Sequence, residues 1–440
     1  MKGSPWLEEH PRDRGVDVLD HHEAADVVVI GGGISGLSVA RELLDSTDLS
    51  VVLMERDLVG QGATGHNGGQ VVAAFERRFE GVAERMGRER AAQGFREVQG
   101  AWDALGGMVR SLRSPGLLQM VPSQLGIASP ADLRSWTAER RRRGELGMPI
   151  GTLRVADDVP SPTGSGAEKV PREVLEELLW TRDRRYLAAV GMEIGLMNSY
   201  RFIELLAKDL LEQHPERFRL FERSPAERLR LSEEEGVASC RGLTVRADRV
   251  VLCTNGYRAP PIEACAPPMI TGRVEGVVGY MVGSTALEGA AGARAYFRGG
   301  DEPYFYLTRR EHLGGWLTAV GGPEGAIDGE YDPERAYRPE AFVRLGEFID
   351  ETLAIPAGAR DHRWQGLMGY TPSGVRAVGR DPLLPPLYYN IGCNGIGLLS
   401  AVAGAVRLAR LMVGEDMGPS MFDPESALSD DRESVVQRNR

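Results

Sequence analysis

Residues 26–55 run DVVVIGGGISGLSVARELLDSTDLSVVLME, and the rest of the chain is placed by reference to them. Asp26 to Ile30 is a short β-branched run of the kind buried on both faces of a parallel sheet. It leads straight into glycine. Leu37, Ala40, Leu43 and Leu44 then fall at helical spacing, and residues 50–55, SVVLME, form a second apolar strand ending in an acid. Strand, glycine turn, helix and strand predict a right-handed βαβ unit. Gly31, Gly33 and Gly36 make the pattern G-x-G-x-x-G at the first junction. The first glycine permits the turn, the second lets a pyrophosphate touch backbone amides, and the third lets helix pack on strand. The helix N-terminus adds free N–H groups and a partial positive charge. Glu55 lies 19 residues beyond Gly36 (55 minus 36), where a carboxylate accepts hydrogen bonds from both ribose hydroxyls and repels a 2′-phosphate.

Working outward, 440 residues are about three typical single-domain lengths divided between closely packed domains, two being the natural expectation. The 42% hydrophobic and 26% charged composition is that of a globular protein and excludes collagen, coiled coil and global disorder. A net charge of −11 repels phosphate backbones, so no nucleic-acid partner is expected. The basic run Arg140 to Arg143 sits amid helix-like sequence. Cys240, Cys253, Cys265 and Cys393 form no CxxC pair and have no histidine at metal-ligand spacing, which predicts no metal site and a reducing, cytoplasmic setting. No run of 18 apolar residues occurs and the first 25 residues lack an apolar core, so neither a membrane span nor a signal peptide is expected. His10, His21 and His22 are assigned to a solvated amino-terminal arm.

Further along, residues 60–70, GQGATGHNGGQ, are a second glycine-rich stretch directly after the Glu55 strand. They are suited to running backbone amides and the Thr64 hydroxyl along a pyrophosphate and a flavin edge. A nicotinamide-binding fold would continue into another βαβ repeat there. Residues 81–185 look largely helical. Asn198 and Ser199 cap a predicted helix from Tyr200 to Gln213. Residues 218–231, 242–254 and 269–322 read as strands, 364–379 as turn-rich, and 387–391 as a last strand before a glycine loop and a long apolar helix to about Val413. The stretch from Gly418 is charged and expected to be loose.

Taken in order, DVVVIGGGISGLSVARELL, VVLMERDLVGQGATGHNGGQ, VVLCTNGY, WQGLMGYTPSG and YYNIGCNGIGLLSAVAGAVRLARLMVG resemble the D-amino-acid oxidase and sarcosine oxidase superfamily of FAD-dependent amine oxidoreductases. The likeness is to its glycine/glutamylputrescine oxidase-like branch. It implies an α/β (α+β overall) architecture: a Rossmann-like FAD-binding domain from residues 26–80, 186–262 and 362–415, and a mixed or antiparallel-sheet substrate domain from 81–185 and 263–361. Residues 1–25 and 416–440 are left as flexible ends. The resemblance implies that Gly31, Gly33, Ser35, Gly36 and Glu55 hold the ADP half of FAD, with Arg56 by the adenosine. It places Gly62, Ala63, Thr64, His66, Asn67, Gly68, Gly69, Gln70, Ala226, Thr254 and Asn255 along the flavin nucleotide, and Asn394, Gly395, Ile396 and Gly397 at the isoalloxazine ring. Ile396 stands where relatives commonly carry histidine.

His66 stands where many relatives have arginine, and also resembles the histidine that bonds flavin in dimethylglycine and sarcosine dehydrogenases. A covalent link and a plain hydrogen bond are both open. No counterpart of the flavin-linking cysteine of monomeric sarcosine oxidases is present. The implied reaction is oxidation of a C–N bond in a small amine or N-substituted amino acid by hydride transfer, giving an imine that hydrolyses. Tyr280, Tyr304, Tyr306, Thr318 and Trp364 are the pocket candidates, with Tyr306 and Thr318 named as catalytic. Thr318 falls near the place of an oxygen-activating lysine, and Arg309, Arg310 and Arg376 are candidates for a substrate carboxylate. A non-catalytic flavin-binding subunit and an NAD-dependent dehydrogenase are the competing readings.

Overall fold

The computed structural model describes residues 3–148, 150–296, 304–354 and 359–428. The first ordered strand, β1 (Glu23–Ile30), is followed by helix α2 (Ile34–Ser46) and strand β2 (Val51–Met54), the predicted βαβ unit. An earlier helix, α1 (Pro5–Glu9), precedes them. β1 lies between two parallel neighbours, with Val28 paired to Val52 on β2 and to Val250 on the strand Leu243–Leu252. Its side chains are buried on both faces. Val27 and Val29 join the core under α2 and the helix Leu398–Met412, while Val28 and Ile30 join a second core on the opposite face. That double burial is why the run carries no polar alternation.

Two sheets organise the described residues. One has nine strands and is centred on β1. The other has ten, of mixed direction, and includes the antiparallel neighbours Glu275–Ala286, Gly315–Ala326 and Phe305–His312. Asn198 caps the helix Ser199–Gln213 as expected, its side chain accepting from Arg201 N at 3.0 Å. No described helix is long and apolar enough to cross a membrane.

Several expectations are corrected. Residues 81–185 include the strand Leu118–Ile127 besides helices, and the strand Ala188–Met197 pairs with it along its length, in the second sheet instead of the first. Likewise residues 364–370, expected as turn-rich, belong to the strand Ala359–Tyr370 of the second sheet, paired to Glu275–Ala286. Its glycines imitate turn punctuation but serve close approach: a Cβ on Gly366 would sit 2.6 Å from the His66 carbonyl oxygen, and one on Gly369 2.6 Å from Gly256 N.

The amino-terminal arm is also docked instead of loose. Trp6 is fully buried and donates from Nε1 to the Asn67 carbonyl at 2.6 Å; Ser4 Oγ donates to the Gly65 carbonyl at 2.5 Å. Arg14 pairs with Glu204 at 2.9 Å and with Glu222 at 2.7 Å, and Arg12 joins Glu222. One tryptophan and a set of charges with partners some 190 residues away leave no local apolar run to read. At the other end Met421 and Phe422 are buried and Phe422 O accepts from Val378 N at 2.7 Å, so the expected flexible end is packed as far as residue 428; residues 429–440 lie outside the described residues.

Candidate active site

At the end of β1 the chain turns at Gly31 with φ 112°, and a Cβ there would meet the Cys253 carbonyl oxygen at 2.8 Å. Gly36 lies one helical turn further on, where a Cβ would fall 1.9 Å from Gly31 O, so helix and strand can touch only through glycine. Gly33 caps α2 without a side chain, and Thr64 Oγ1 reaches across to accept from Ile34 N at 3.0 Å. A Cβ on Gly33 would stand 3.0 Å from that hydroxyl. The first turn of α2 therefore opens onto space bounded by bare backbone and one hydroxyl, the form an anion-binding helix N-terminus takes.

Glu55 closes β2. Its Oε2 accepts from Gly32 N at 2.6 Å and its Oε1 from Asp57 N at 2.9 Å. Burial pushes its pKa up, and the two N–H donors oppose that. Beside it, the Arg56 guanidinium stacks over the Tyr257 ring at 4.8 Å.

These residues line a continuous cavity of about 1750 Å³ that runs from Glu55 to the second sheet. Ordinary small-molecule pockets occupy about 300–1,000 Å³, so there is room for a dinucleotide with a small substrate beyond it. Of the residues implied for the cofactor, Gly31, Gly33, Ser35, Glu55, Arg56, Gly62, Ala63, Thr64, His66 to Gln70, Ala226, Thr254, Asn255, Gly395, Ile396 and Gly397 all face the cavity. Gly36 and Asn394 do not. Gly36 makes the helix–strand contact just described, and Asn394 (φ 46°) accepts from Thr371 N at 2.9 Å and shapes the loop from behind. Thr254 Oγ1 is buried without a hydrogen-bond partner on the cavity wall, an orphan that a bound polar cofactor would satisfy. The bare α2 terminus, the ribose-height carboxylate and this orphan together fit FAD.

The loops at the far end are held by their own side chains. Asn67 Nδ2 donates to the Thr64 carbonyl at 2.9 Å and to Ser199 Oγ at 2.8 Å, so its amide supports the loop. Gln70, paired with Leu196 in the second sheet, donates from Nε2 to Leu307 O at 3.0 Å. His66 Nδ1 donates to the Gly62 carbonyl at 2.9 Å, and burial pulls its pKa down, leaving a neutral imidazole.

Among the substrate-side candidates, Tyr304, Tyr306 and Trp364 line the cavity. Tyr306 lies under Gly68, where a Cβ would meet its ring at 2.6 Å, and its hydroxyl points to Met281 Sδ at 2.9 Å. Thr318 and Tyr280 are outside the lining. Thr318 Oγ1 accepts from Arg309 Nη1 at 3.1 Å inside the sheet, and Tyr280 packs edge-on to Phe342, so neither reaches a substrate bound in the cavity. Of the arginine candidates, Arg309 and Arg310 lie outside the cavity lining and Arg376 is on it. Arg309 also donates to Glu288 O at 2.5 Å, and Arg310 pairs with Glu9 at 2.9 Å. Arg376 binds Ser35 Oγ at 3.0 Å, Asn390 Oδ1 at 3.0 Å and Gly397 O at 3.2 Å; burial lowers its pKa to about 10. It braces α2 against the 393–397 loop.

Sequence reasoning missed Glu76, an acid on the cavity lining, and two groups packed against it from outside the lining, Glu324 and Tyr370. Glu76 follows the second glycine loop, and Glu324 lies on the strand Gly315–Ala326. The Tyr370 hydroxyl is 3.1 Å from Glu324 Oε2 and 3.5 Å from Glu76 Oε1. A Cβ on Gly395 would lie 2.9 Å from that hydroxyl and 3.5 Å from Glu76 Oε2, so the group abuts the 393–397 loop. Burial, then the charge of Glu324, pushes the Glu76 pKa up to about 8. The one available signal was an acid closing the apolar run VVAAFE immediately after the glycine loop.

Comparison with known proteins agrees with this geometry. Over 75 residues the chain is 37% identical to the gamma-glutamylputrescine oxidoreductase of Escherichia coli (strain K12), a stretch covering 17% of either chain. Over 133 residues it is 32% identical to a probable oxidoreductase OrdL of Rhizobium meliloti (strain 1021), 30% of each. These alignments span well under two thirds of those relatives. Among solved structures, the glycine oxidase from Geobacillus kaustophilus superposes with a TM-score of 0.66 at 15% identity, over 91% of this chain and 98% of that one. An L-alpha-glycerophosphate oxidase from Mycoplasma pneumoniae with FAD bound gives 0.65 at 12% identity, over 89% and 96%. These structural likenesses establish the fold. The family profile of FAD dependent oxidoreductases, DAO, matches residues 26–411, and the chain belongs to that family.

Proposed function

We propose that this chain oxidises a C–N bond of a primary or secondary amine that carries positive charge to an imine, which water hydrolyses to a carbonyl compound and ammonia or a smaller amine. The observation that supports this reading is the Glu76, Glu324 and Tyr370 group beside the 393–397 loop. The Tyr370 hydroxyl can donate to only one of the two carboxylates, and Arg77 acts on Glu76 as a nearby positive charge. An amine bound at the cavity wall faces the Glu76 carboxyl, whose raised pKa lets it exchange a proton with that amine.

When bound, FAD supplies the acceptor for the two electrons and the hydrogen leaving the amine's α-carbon. The chain's residues bind and orient. Tyr304, Tyr306 and Trp364 provide apolar walls that strip water from the amine and hold its carbon chain in one pose. Glu55 and the α2 terminus fix the nucleotide end, so the reacting ring is delivered at a set depth. His66 is the residue through which the flavin would be tethered: its Nδ1 hydrogen is spent on Gly62 O, leaving the Nε2 lone pair as nucleophile.

A second reading is favoured by Arg77, which lines the same cavity next to Glu76 and could pair with the carboxylate of an N-substituted amino acid. Product analysis separates the two. The holoprotein is incubated with a panel of monoamines, diamines and N-substituted amino acids, and aldehyde and released amine are quantified. Turnover of diamines over matched amino acids supports the first reading, and the reverse order supports the second. Absence of carbonyl product from every member would remove both and leave a non-catalytic flavin carrier.

A further inference from the structure

The docked arm meets the second glycine-rich loop at the two carbonyls that flank His66. Ser4 Oγ donates to Gly65 O at 2.5 Å, and Trp6 Nε1 donates to Asn67 O at 2.6 Å. The loop turns glycines toward the arm to allow this approach. A Cβ on Gly69, whose φ is 69°, would stand 3.2 Å from the indole Cζ2, and one on Gly65 would stand 3.1 Å from Leu7 Cδ2. Trp6 is itself held from three other directions. Asn198 Nδ2 donates to its carbonyl at 2.9 Å, the Trp364 ring meets its ring edge-on at 6.3 Å, and the Arg310 guanidinium lies over it at 5.5 Å. Arg310 in turn pairs with Glu9 of α1 at 2.9 Å. The indole N–H is therefore a donor with little freedom to move.

A trans peptide points its C=O and its N–H in opposite directions, so a carbonyl held on one side sets where the next N–H lies. In the peptide between Gly65 and His66 that hydrogen returns to the loop, His66 N donating to Ala63 O at 3.2 Å. In the peptide between Asn67 and Gly68 it does not. Gly69 N is satisfied by Asn67 Oδ1 at 2.8 Å and Gly68 O by Thr308 Oγ1 at 2.6 Å, whereas Gly68 N makes no hydrogen bond among the described residues. Gly68 is buried and lines the flavin cavity. A buried N–H that the fold leaves unpaired calls for an acceptor on the ligand.

We propose that Trp6 and Ser4 are positioning residues of the flavin site: by holding the carbonyls on either side of His66 they fix the peptide whose Gly68 N–H donates to the flavin, and the backbone that carries the His66 imidazole. Trp6 is outside the cavity lining, so it acts only through the loop. Reduction makes the flavin ring more electron-rich, and a donor held in place favours that form over the oxidised one. Without the indole N–H the peptide between Asn67 and Gly68 is free to turn, the donor weakens, and the reduced form loses more than the oxidised. Trp6 thus sets the flavin potential from behind the loop. The inference needs FAD in the cavity and makes no use of the identity of the substrate.

The test reads the two-electron midpoint potential of the purified holoprotein, by equilibrium reduction against a dye of known potential, with flavin content and melting temperature followed in parallel. Trp6→Phe keeps a ring between Gly69 and Trp364 and removes the donor. Its potential should fall by about 30 mV, a tenfold loss in preference for the reduced form. Ser4→Ala, which removes one hydroxyl, should lower it by about 9 mV or more, a twofold loss. Leu19→Ala hollows the arm's packing in the core on the opposite face of the first sheet and touches neither carbonyl. Its melting temperature should fall and its potential should match the wild type. A wild-type potential in Trp6→Phe that retains flavin, or an equal shift in Leu19→Ala, would overturn the proposal. If Trp6→Phe loses its flavin, Ser4→Ala decides, and a wild-type potential there overturns it.

Discussion

Replacing Glu76 with glutamine probes the acid group from a direction independent of turnover. An unfolded glutamate loses its proton near 4.5, whereas burial and the neighbouring Glu324 hold the folded Glu76 carboxyl protonated up to about 8. Between those values the unfolded chain binds fewer protons than the folded one, so this group makes stability fall as pH rises, and the penalty is complete above about 8. At about 1.4 kcal/mol for each pH unit, the gap sets a ceiling of about 5 kcal/mol. The carboxyl opens onto the cavity, and water there reduces the figure to about 2–3 kcal/mol. Glutamine keeps the shape and never ionises. Urea unfolding of wild type and Glu76→Gln at about pH 5 should give nearly equal stability, and at about pH 9 the variant should be the more stable by about 2–3 kcal/mol. The remaining titrating groups are common to both proteins, so the difference reports Glu76 together with Glu324, whose charge acts on it. Parallel stability curves, or a variant that is weaker in alkali, would refute the account of a buried, charge-strained carboxyl.

Other perturbations address the cofactor and the arm. Gly33→Val should leave the far-ultraviolet spectrum intact while purified protein carries less than about a tenth of the wild-type flavin, because the branched side chain fills the cradle between α2 and Thr64; full flavin occupancy would contradict that placement. Acid precipitation should leave the yellow colour in the wild-type pellet and in the supernatant of His66→Gln; a colourless wild-type pellet would exclude the histidyl tether. Trp6→Ala should cost about 3–5 kcal/mol of local packing and expose Arg12 and Arg14 to trypsin before the rest of the chain is cut; an unchanged digestion pattern would mean that the arm is not held by its tryptophan.

The parts legible in the sequence are those whose physics is local. A β-branched run, three glycines at a fixed spacing and an acid at the next strand end lie within thirty consecutive residues, and each constrains the others. The loop 393–397 was legible for the same reason: Gly395, at φ 74°, abuts the Tyr370 hydroxyl where only a glycine fits. What escaped depends on partners far apart in the chain. Ala188–Met197 follows a helical region but pairs with a strand some 70 residues earlier, and nothing in its own composition names that partner. Trp6 and Arg14 seemed to belong to a solvated arm because their partners, Asn67, Glu204 and Glu222, lie far along the chain. Glu76 and Glu324, 248 positions apart (324 minus 76), become a pair only when the two sheets meet over the cavity. Thr318 failed in the opposite way: its position suggested the active face, but the hydroxyl is turned into the sheet toward Arg309.

Rapid mixing of the oxidised flavoprotein with a diamine in the absence of oxygen, followed by its visible absorbance, examines the proposed chemistry at its source. The flavin band should bleach with a rate that saturates in amine concentration and drops at least tenfold in Glu76→Ala. A protein that holds stoichiometric FAD yet keeps its oxidised spectrum in the presence of every amine offered would contradict the assignment of this cavity to amine oxidation.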